Sequence, residues 1–287
     1  MGSSRPFIVT RPAAAGRALT DALAALGTEV RWLPAFDLGP APDPQRAQAT
    51  LAQLQAFDLA LFVSPAAVRA AARLLAGQTW PATTAIGAVG QGTQAAVRSH
   101  LPLDPAQLPA VIAPADVADM EADTVADAAA DGAAGTETTG TQTTSNNAPT
   151  GSEAYWQAEL AHERAGGSAP RRVLILRAEH GRDWLQAQFE QAGAQVTLLP
   201  VYTRQPRAWN ADDAGWVAAR VGGPPPALVI TSSEAVDSLL AAAAAADPGG
   251  ATQRWLRQGR ALAQHPRIVA RLQAAGFDDV ACVPCEA

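Results

Sequence analysis

The sequence predicts an α/β protein built from two similar domains, each a parallel sheet flanked by helices. Three observations carry this expectation. Short runs of Val, Ile, Leu and Phe alternate with longer stretches whose apolar residues recur at helical spacing, the order that buries parallel strands under helices. The same order of apolar run, glycine turn and helix starts again near Arg172. Hydroxyl and arginine residues collect where the runs end, the edge at which open parallel sheets bind ligands. At 287 residues and 48 % hydrophobic composition, the chain can bury a core in each of two domains.

Phe7-Ile8-Val9-Thr10 reads as a strand that enters a loop at Arg11-Pro12. Arg17 to Leu26 has helical spacing and stops at Gly27. Glu29 to Leu33 is a second strand, ended by Pro34, and Gln45 to Gln55 a second helix. Leu59 to Val63 is a strand, and Ser64-Pro65 opens a helix to Leu75. Thr84 to Val89 is a strand turned by Gly90-Gln91-Gly92-Thr93 into another helix. The tract at about 114–150, rich in Ala, Asp, Thr and Gly, is expected to be a disordered low-complexity insertion. Ser152 then reads as the cap of a helix through Trp156 and Leu160.

Arg172 to Arg177 restarts the pattern as a strand. Gly181-Arg182-Asp183 opens a helix to Gly193, and Gln195 to Leu199 is a strand ended by Pro200. Ala227 to Ile230 is a strand whose sequel, Thr231-Ser232-Ser233-Glu234, leads into a helix. Arg260 to Gln264 is a poor strand sequence. The stretch Gly16 to Pro34 parallels Gly181 to Pro200, and Leu61 to Val68 parallels Val229 to Val236, an internal duplication. On these residues alone the chain divides into sequential halves.

Composition and motifs narrow the chemistry. A net charge of −6 without a basic cluster argues against nucleic acid. Leu239 to Ala246 is too short an apolar stretch to span a bilayer, and no apolar export segment opens the chain, so a cytoplasmic protein without membrane contact is expected. Cys282 and Cys285 form a lone CxxC that lacks a second pair for zinc and the strand-to-helix setting of a redox motif, so they read as incidental thiols. Gly87 to Gly92 does not fit GxGxxG, and neither a Walker A sequence nor a GxSxG elbow occurs. The four histidines are scattered without metal-ligand spacing. A cofactor-free enzyme or a binding protein remains.

The polar residues at strand ends are Thr10 with Arg11, Ser64, Thr93, Arg177, Tyr202, Thr231-Ser232-Ser233, and His265 with Arg267. Backbone N–H groups at helix starts together with arginines describe an anion-binding cleft between two domains. Each residue also has a plainer use. The hydroxyl residues serve as helix caps, the arginines as solvated surface groups, His265 as a turn residue and Tyr202 as a packing tyrosine.

Val9-Thr10-Arg11-Pro12, Phe62-Val63-Ser64-Pro65, Ala88-Val89-Gly90-Gln91-Gly92-Thr93, Val173 to Arg177, Gly193-Ala194, Leu199-Pro200-Val201-Tyr202-Thr203-Arg204, Ile230 to Ser233 and His265-Pro266-Arg267-Ile268 follow one another in an order and spacing that resembles the uroporphyrinogen-III synthase family. The resemblance implies two α/β domains joined by two extended connecting strands. The first would hold residues 1–34 and 203–287 and the second 37–200, which replaces the division into halves. It also implies a lyase of tetrapyrrole and heme biosynthesis that closes hydroxymethylbilane to uroporphyrinogen III, inverting ring D and losing water without cofactor or metal.

On this resemblance Tyr202 is the catalytic group, and Arg11, Ser64, Thr93, Arg177, Thr231, Ser232, Ser233 and Arg267 bind substrate. Some members carry a second threonine turn where this chain has His265-Pro266-Arg267, so Arg267 would supply the donor there. A monomer is expected, with a transient contact to the enzyme that makes the substrate. The alternative is a non-catalytic two-lobed binding or regulatory protein of the same fold.

Overall fold

The computed structural model describes residues 5–114 and 151–283. The insertion expected at about 114–150 lies, but for Pro114, outside the described residues, as does Cys285. In chain order the elements begin β1 (Phe7–Val9), α1 (Ala13–Ala25), β2 (Val30–Trp32), β3 (Phe36–Gly39), α2 (Pro44–Leu51), β4 (Leu59–Phe62), α3 (Pro65–Leu75), β5 (Ala85–Ala88), α4 (Gln91–His100) and β6 (Val111–Ile112). After the insertion come α5 (Ser152–Arg164), β7 (Arg172–Ala178), α6 (Trp184–Gln191), β8 (Gln195–Pro206), α7 (Ala211–Ala218) and β9 (Ala227–Ile230). The chain ends with α8 (Ser233–Ala246), α9 (Ala251–Arg257), β10 (Arg260–Ala263), α10 (Pro266–Ala274) and β11 (Asp279–Cys282).

These elements form two compact units, Met1–Gly39 with Arg204–Ala287, and Pro40–Thr203. The first unit's sheet runs β11-β10-β9-β1-β2, with each neighbouring pair parallel. Renumbered along the chain, that order is 2-1-3-4-5, a doubly wound sheet with its switch point between β1 and β9. In the second unit the parallel strands run β8-β7-β4-β5-β6. This is the same order if counting starts at β7. The duplication is therefore exchanged between units: each takes two strands from one half of the sequence and three from the other.

Three details differ from the sequence expectation. The strand expected to end at Pro200 runs on to Pro206. Its pairing with β7 slips between Arg177↔Pro200 and Ala178↔Tyr202, leaving Val201 as an extra residue, and at such a bulge a proline without N–H is tolerated. Ser152 lies inside α5 instead of capping it; Gly151, at φ 62°, turns the chain into the helix. The helical stretch expected over Gln45 to Gln55 ends at Leu51, followed by a separate 3-10 turn at Leu54–Ala56.

The strands are apolar because they are buried on both faces. In β4 all four residues are buried. Leu59 and Leu61 join a core with Tyr155, Val173, Ile175, Leu185 and Phe189, while the Phe62 ring packs 5.8 Å from that of Trp80. The first unit's core gathers Ile8, Leu228, Ile230, Trp255, Leu256, Leu272 and Phe277. Truncating any one such leucine to alanine costs about 2–5 kcal/mol.

One buried pair stands apart from this apolar packing. The Tyr155 hydroxyl donates to Glu159 Oε2 at 2.7 Å, and both side chains are fully buried. Gly87 makes room for them, since a Cβ there would lie 2.6 Å from the Tyr155 hydroxyl. Among the described residues Glu159 Oε1 has no hydrogen-bond partner. Burial raises the Glu159 pKa, and the Tyr155 hydrogen bond and nearby His162 offset this only in part. Burial and the neighbouring Glu159 charge likewise push the Tyr155 phenol well up.

The unfolded chain releases the Glu159 proton near the ordinary value of about 4.3, and the fold releases it later. Above that value the fold holds more protons, so stability falls as pH rises through the window, by at most about 1.4 kcal/mol per pH unit. Glu159→Gln accepts the same tyrosine hydrogen bond without titrating. Its urea midpoint is expected to fall less between about pH 4 and 7 than that of the wild type. Equal falls in the two proteins would assign the slope to another group.

Candidate functional site

Strand pairing fixes which residues of the two halves correspond. Phe7 lies beside Val30 and Ala227, and Val173 beside Val196 and Leu59. Counting on along the chain, Arg11 corresponds to Arg177, Ser232 to Ser64 and Phe36 to Tyr202. Arg11, Arg177, Ser64 and Ser232 stand at or just beyond the carboxyl ends of their strands, where the following helices present unpaired N–H groups, while Phe36 opens β3 and Tyr202 lies within β8.

At this edge of the second unit, Tyr202 is 6 % exposed. Its hydroxyl lies 3.2 Å from Ser64 Oγ. Ser64 caps α3, its Oγ accepting from the Ala67 N–H at 3.1 Å. One serine thus serves both readings, helix cap and partner of the tyrosine. Thr93 stands in the first turn of α4, 3 % exposed, its N–H donating to the Gly90 carbonyl. The side chain of Arg177 is also buried, and Nη1 lies 2.5 Å from Asp183 Oδ1. A Cβ at Gly181 would come within 2.9 Å of that guanidinium. Arg177 is thereby clamped within its own loop, while Tyr202 and Ser64 are brought into contact.

At the edge of the first unit, Thr10 is fully buried and its hydroxyl donates to the Val229 carbonyl at 2.8 Å, which takes it out of ligand binding. Arg11 is half-buried, and among the described residues its guanidinium makes no ion pair. Its carbonyl accepts from Trp32 Nε1 at 2.8 Å. Ser232 caps α8 through the Ala235 N–H, as Ser64 does α3. Thr231 and Ser233 flank it, each half-buried. His265 is the cap of α10, its Nδ1 accepting from the Arg267 N–H at 3.1 Å, and the Arg267 side chain is exposed beside it.

Two residues of this edge are absent from the sequence-based selection. Arg204 Nη1 lies 2.8 Å from Glu234 Oε2, and the guanidinium stacks near the Phe36 ring, 5.8 Å from its centre. Arg204 stands two residues beyond Tyr202, a position that marked it as part of the same strand end.

Among the described residues no group of three or more His, Cys, Asp or Glu could hold a metal ion. No described helix is long and apolar enough to cross a membrane. Cys282, at the end of β11, is exposed.

The family model for uroporphyrinogen-III synthase HemD matches residues 17–121 and 133–285. A mutant form of uroporphyrinogen III synthase from the extremely thermophilic bacterium Thermus thermophilus aligns with a TM-score of 0.53 at 14 % identity, covering 99 % of this chain and 94 % of that one. Uroporphyrinogen-III synthetase of Helicobacter pylori gives 0.48 at 12 % identity, covering 98 % and 94 %. At 14 % identity the likeness to the first of these is one of fold. No curated protein matches the chain.

The loop that carries Arg11 depends on the absence of a side chain at Gly16. A Cβ there would lie 1.8 Å from the Arg11 carbonyl oxygen and 2.6 Å from Trp32 Nε1. Both neighbours are held by the hydrogen bond between them, so neither can retreat without breaking it. Gly16→Ala is expected to lower the unfolding free energy by about 2–3 kcal/mol in urea titrations. A midpoint unchanged from the wild type would show that the loop yields.

Proposed function

Since this chain belongs to the uroporphyrinogen-III synthase family, we propose that it closes hydroxymethylbilane to uroporphyrinogen III, inverting ring D and releasing water, with Tyr202 as the group that assists departure of the hydroxyl. The observation that carries this reading is the hydroxyl pair at the end of the second unit's sheet: Tyr202, nearly buried, 3.2 Å from Ser64 Oγ.

The pair suits a proton donor. Ser64 Oγ already accepts the Ala67 N–H, so its own hydrogen is available to the Tyr202 oxygen. Tyr202 is then left with its hydrogen for a ligand, polarised by the bond it receives. Donation to the ring A hydroxymethyl oxygen lets the C–O bond break with water as the leaving group, and the pyrrole nitrogen's electron pair forms the protonated azafulvene, whose positive charge is cleared by the proton lost after ring closure, which returns to the tyrosinate. Ring D attacks through its substituted carbon to give a spiro intermediate. That intermediate fragments and recombines with the ring reversed, and loss of one proton restores aromaticity.

Isomer I forms without inversion and without help, so the protein's contribution is to hold one folded geometry of the chain. The substrate carries eight carboxylates, which suits the half-buried Arg11, the exposed Arg267 and the first-turn N–H groups behind Ser64 and Ser232. Thr93, Thr231 and Ser233 complete the proposed contacts, and Arg177 supports them through its loop with Asp183. The proposal includes action as a monomer in the cytoplasm.

The test mixes purified protein with fresh hydroxymethylbilane, oxidises the product and separates the porphyrin isomers. Mainly isomer III is expected from the wild type. In Tyr202→Phe kcat is expected to fall by about 10²–10⁴, the range of a lost acid or base. Isomer I alone, at the spontaneous rate, would leave a binding protein of the same fold as the better account.

A further inference from the structure

Both members of the Arg204–Glu234 pair are additions to one copy of the duplicated scaffold. By the correspondence of strands, Arg204 matches Leu38 and Glu234 matches Ala66. The first turn of α3 carries no acidic residue, whereas that of α8 carries Glu234. The turn into α3 is therefore built without the acidic residue that the turn into α8 carries, and the fold does not require the pair.

Its geometry is that of an exchangeable contact. Arg204 Nη1 lies 2.8 Å from Glu234 Oε2 and Nη2 3.5 Å from Oε1, with side-chain exposures of 24 % and 51 %. An ion pair so open to water is worth little and is readily displaced. The Phe36 ring, 5.8 Å from the guanidinium carbon, supports the cation independently of the carboxylate it holds. Glu234 follows the cap Ser232 by two residues, so its carboxylate sits where helix N–H groups and an arginine fork together favour a carboxylate.

We propose that Arg204 anchors a carboxylate of the substrate and that Glu234 occupies its guanidinium until that carboxylate arrives. The inference rests on the reading of this chain as an enzyme acting on a polycarboxylate tetrapyrrole. Glu234 competes with the substrate for one cation, which weakens binding and helps a product with the same carboxylates to leave. Phe36 keeps the guanidinium in place during the exchange.

Steady-state kinetics on hydroxymethylbilane, followed by isomer III formation, test this. Arg204→Ala is expected to raise KM about tenfold, the loss of one charge-assisted pair. Glu234→Gln is expected to lower KM severalfold and to give no such gain in the Arg204→Ala background. Thermal midpoints of each variant report folding. If Arg204→Ala does not fold, Arg204→Lys, which keeps the charge but loses the fork, is expected to raise KM as well. Isomer III formation with KM unmoved by either substitution overturns the anchoring role and leaves the synthase reading intact. A higher KM in Glu234→Gln overturns the competition between carboxylates. A wild-type protein that yields isomer I alone overturns both readings.

Discussion

The arrangement depends on parallel pairing between strands that lie far apart in the chain. Thr10 donates its buried hydroxyl to the Val229 carbonyl across 219 residues, beside the ladder that sets Val9 against Val229. Ile8, Val9 and Leu228 are fully buried there, and it is this loss of apolar surface from water that holds the two strands together. Parallel pairing then brings both strand ends to one edge, with Arg11 after β1 and Ser232 after β9. The second unit repeats the device with β7 against β4, which brings the end that leads to Tyr202 close to Ser64. Because such pairs are non-local, the first sheet cannot close until the end of the chain has been made, a topology that folds slowly.

Where burial is complete on both faces, the strands could be read from the sequence. Leu59-Ala60-Leu61-Phe62 and Val173-Leu174-Ile175-Leu176 have no polar residue to place outward and appear as apolar runs. Ser64-Pro65 gave away the start of α3 because cap and first helical residue each have a local chemical requirement. β10 was harder, since Arg260-Ala261-Leu262-Ala263 has little strand propensity. It forms between β9 and β11, where pairing on both sides outweighs preference. The run of β8 through Pro200 was hidden because proline ordinarily ends a strand, and only the register slip at Val201 shows how it is accommodated.

The site was legible in part. Tyr202 and Ser64 stand 138 residues apart, and their meeting depends on the order β8-β7-β4, which no local pattern encodes. Thr10 and Arg177 end strands, and each also has a partner in the fold: Thr10 donates its hydroxyl to the Val229 carbonyl, and Arg177 Nη1 meets Asp183. Neither partner is recognisable from spacing. Arg204 closes the family-like stretch that begins at Leu199 but has no role there, because its neighbours Glu234 and Phe36 come from distant parts of the chain.

The duplicated scaffold places the same parts at both edges, so their chemical difference lies in single side chains. Ser64 and Ser232 each cap a helix three residues before the N–H they accept, leaving the hydroxyl hydrogen to point elsewhere. In the second unit Ser64 Oγ lies 3.2 Å from the Tyr202 hydroxyl, and either oxygen can donate. The matching residue of the other copy is Phe36, which has no hydroxyl and instead lies near a guanidinium. One edge therefore carries a pair of hydroxyls, and the other a guanidinium beside an aromatic ring. Differences at a few side chains, Phe36 against Tyr202, Arg204 against Leu38 and Glu234 against Ala66, thus separate two chemistries on one strand order.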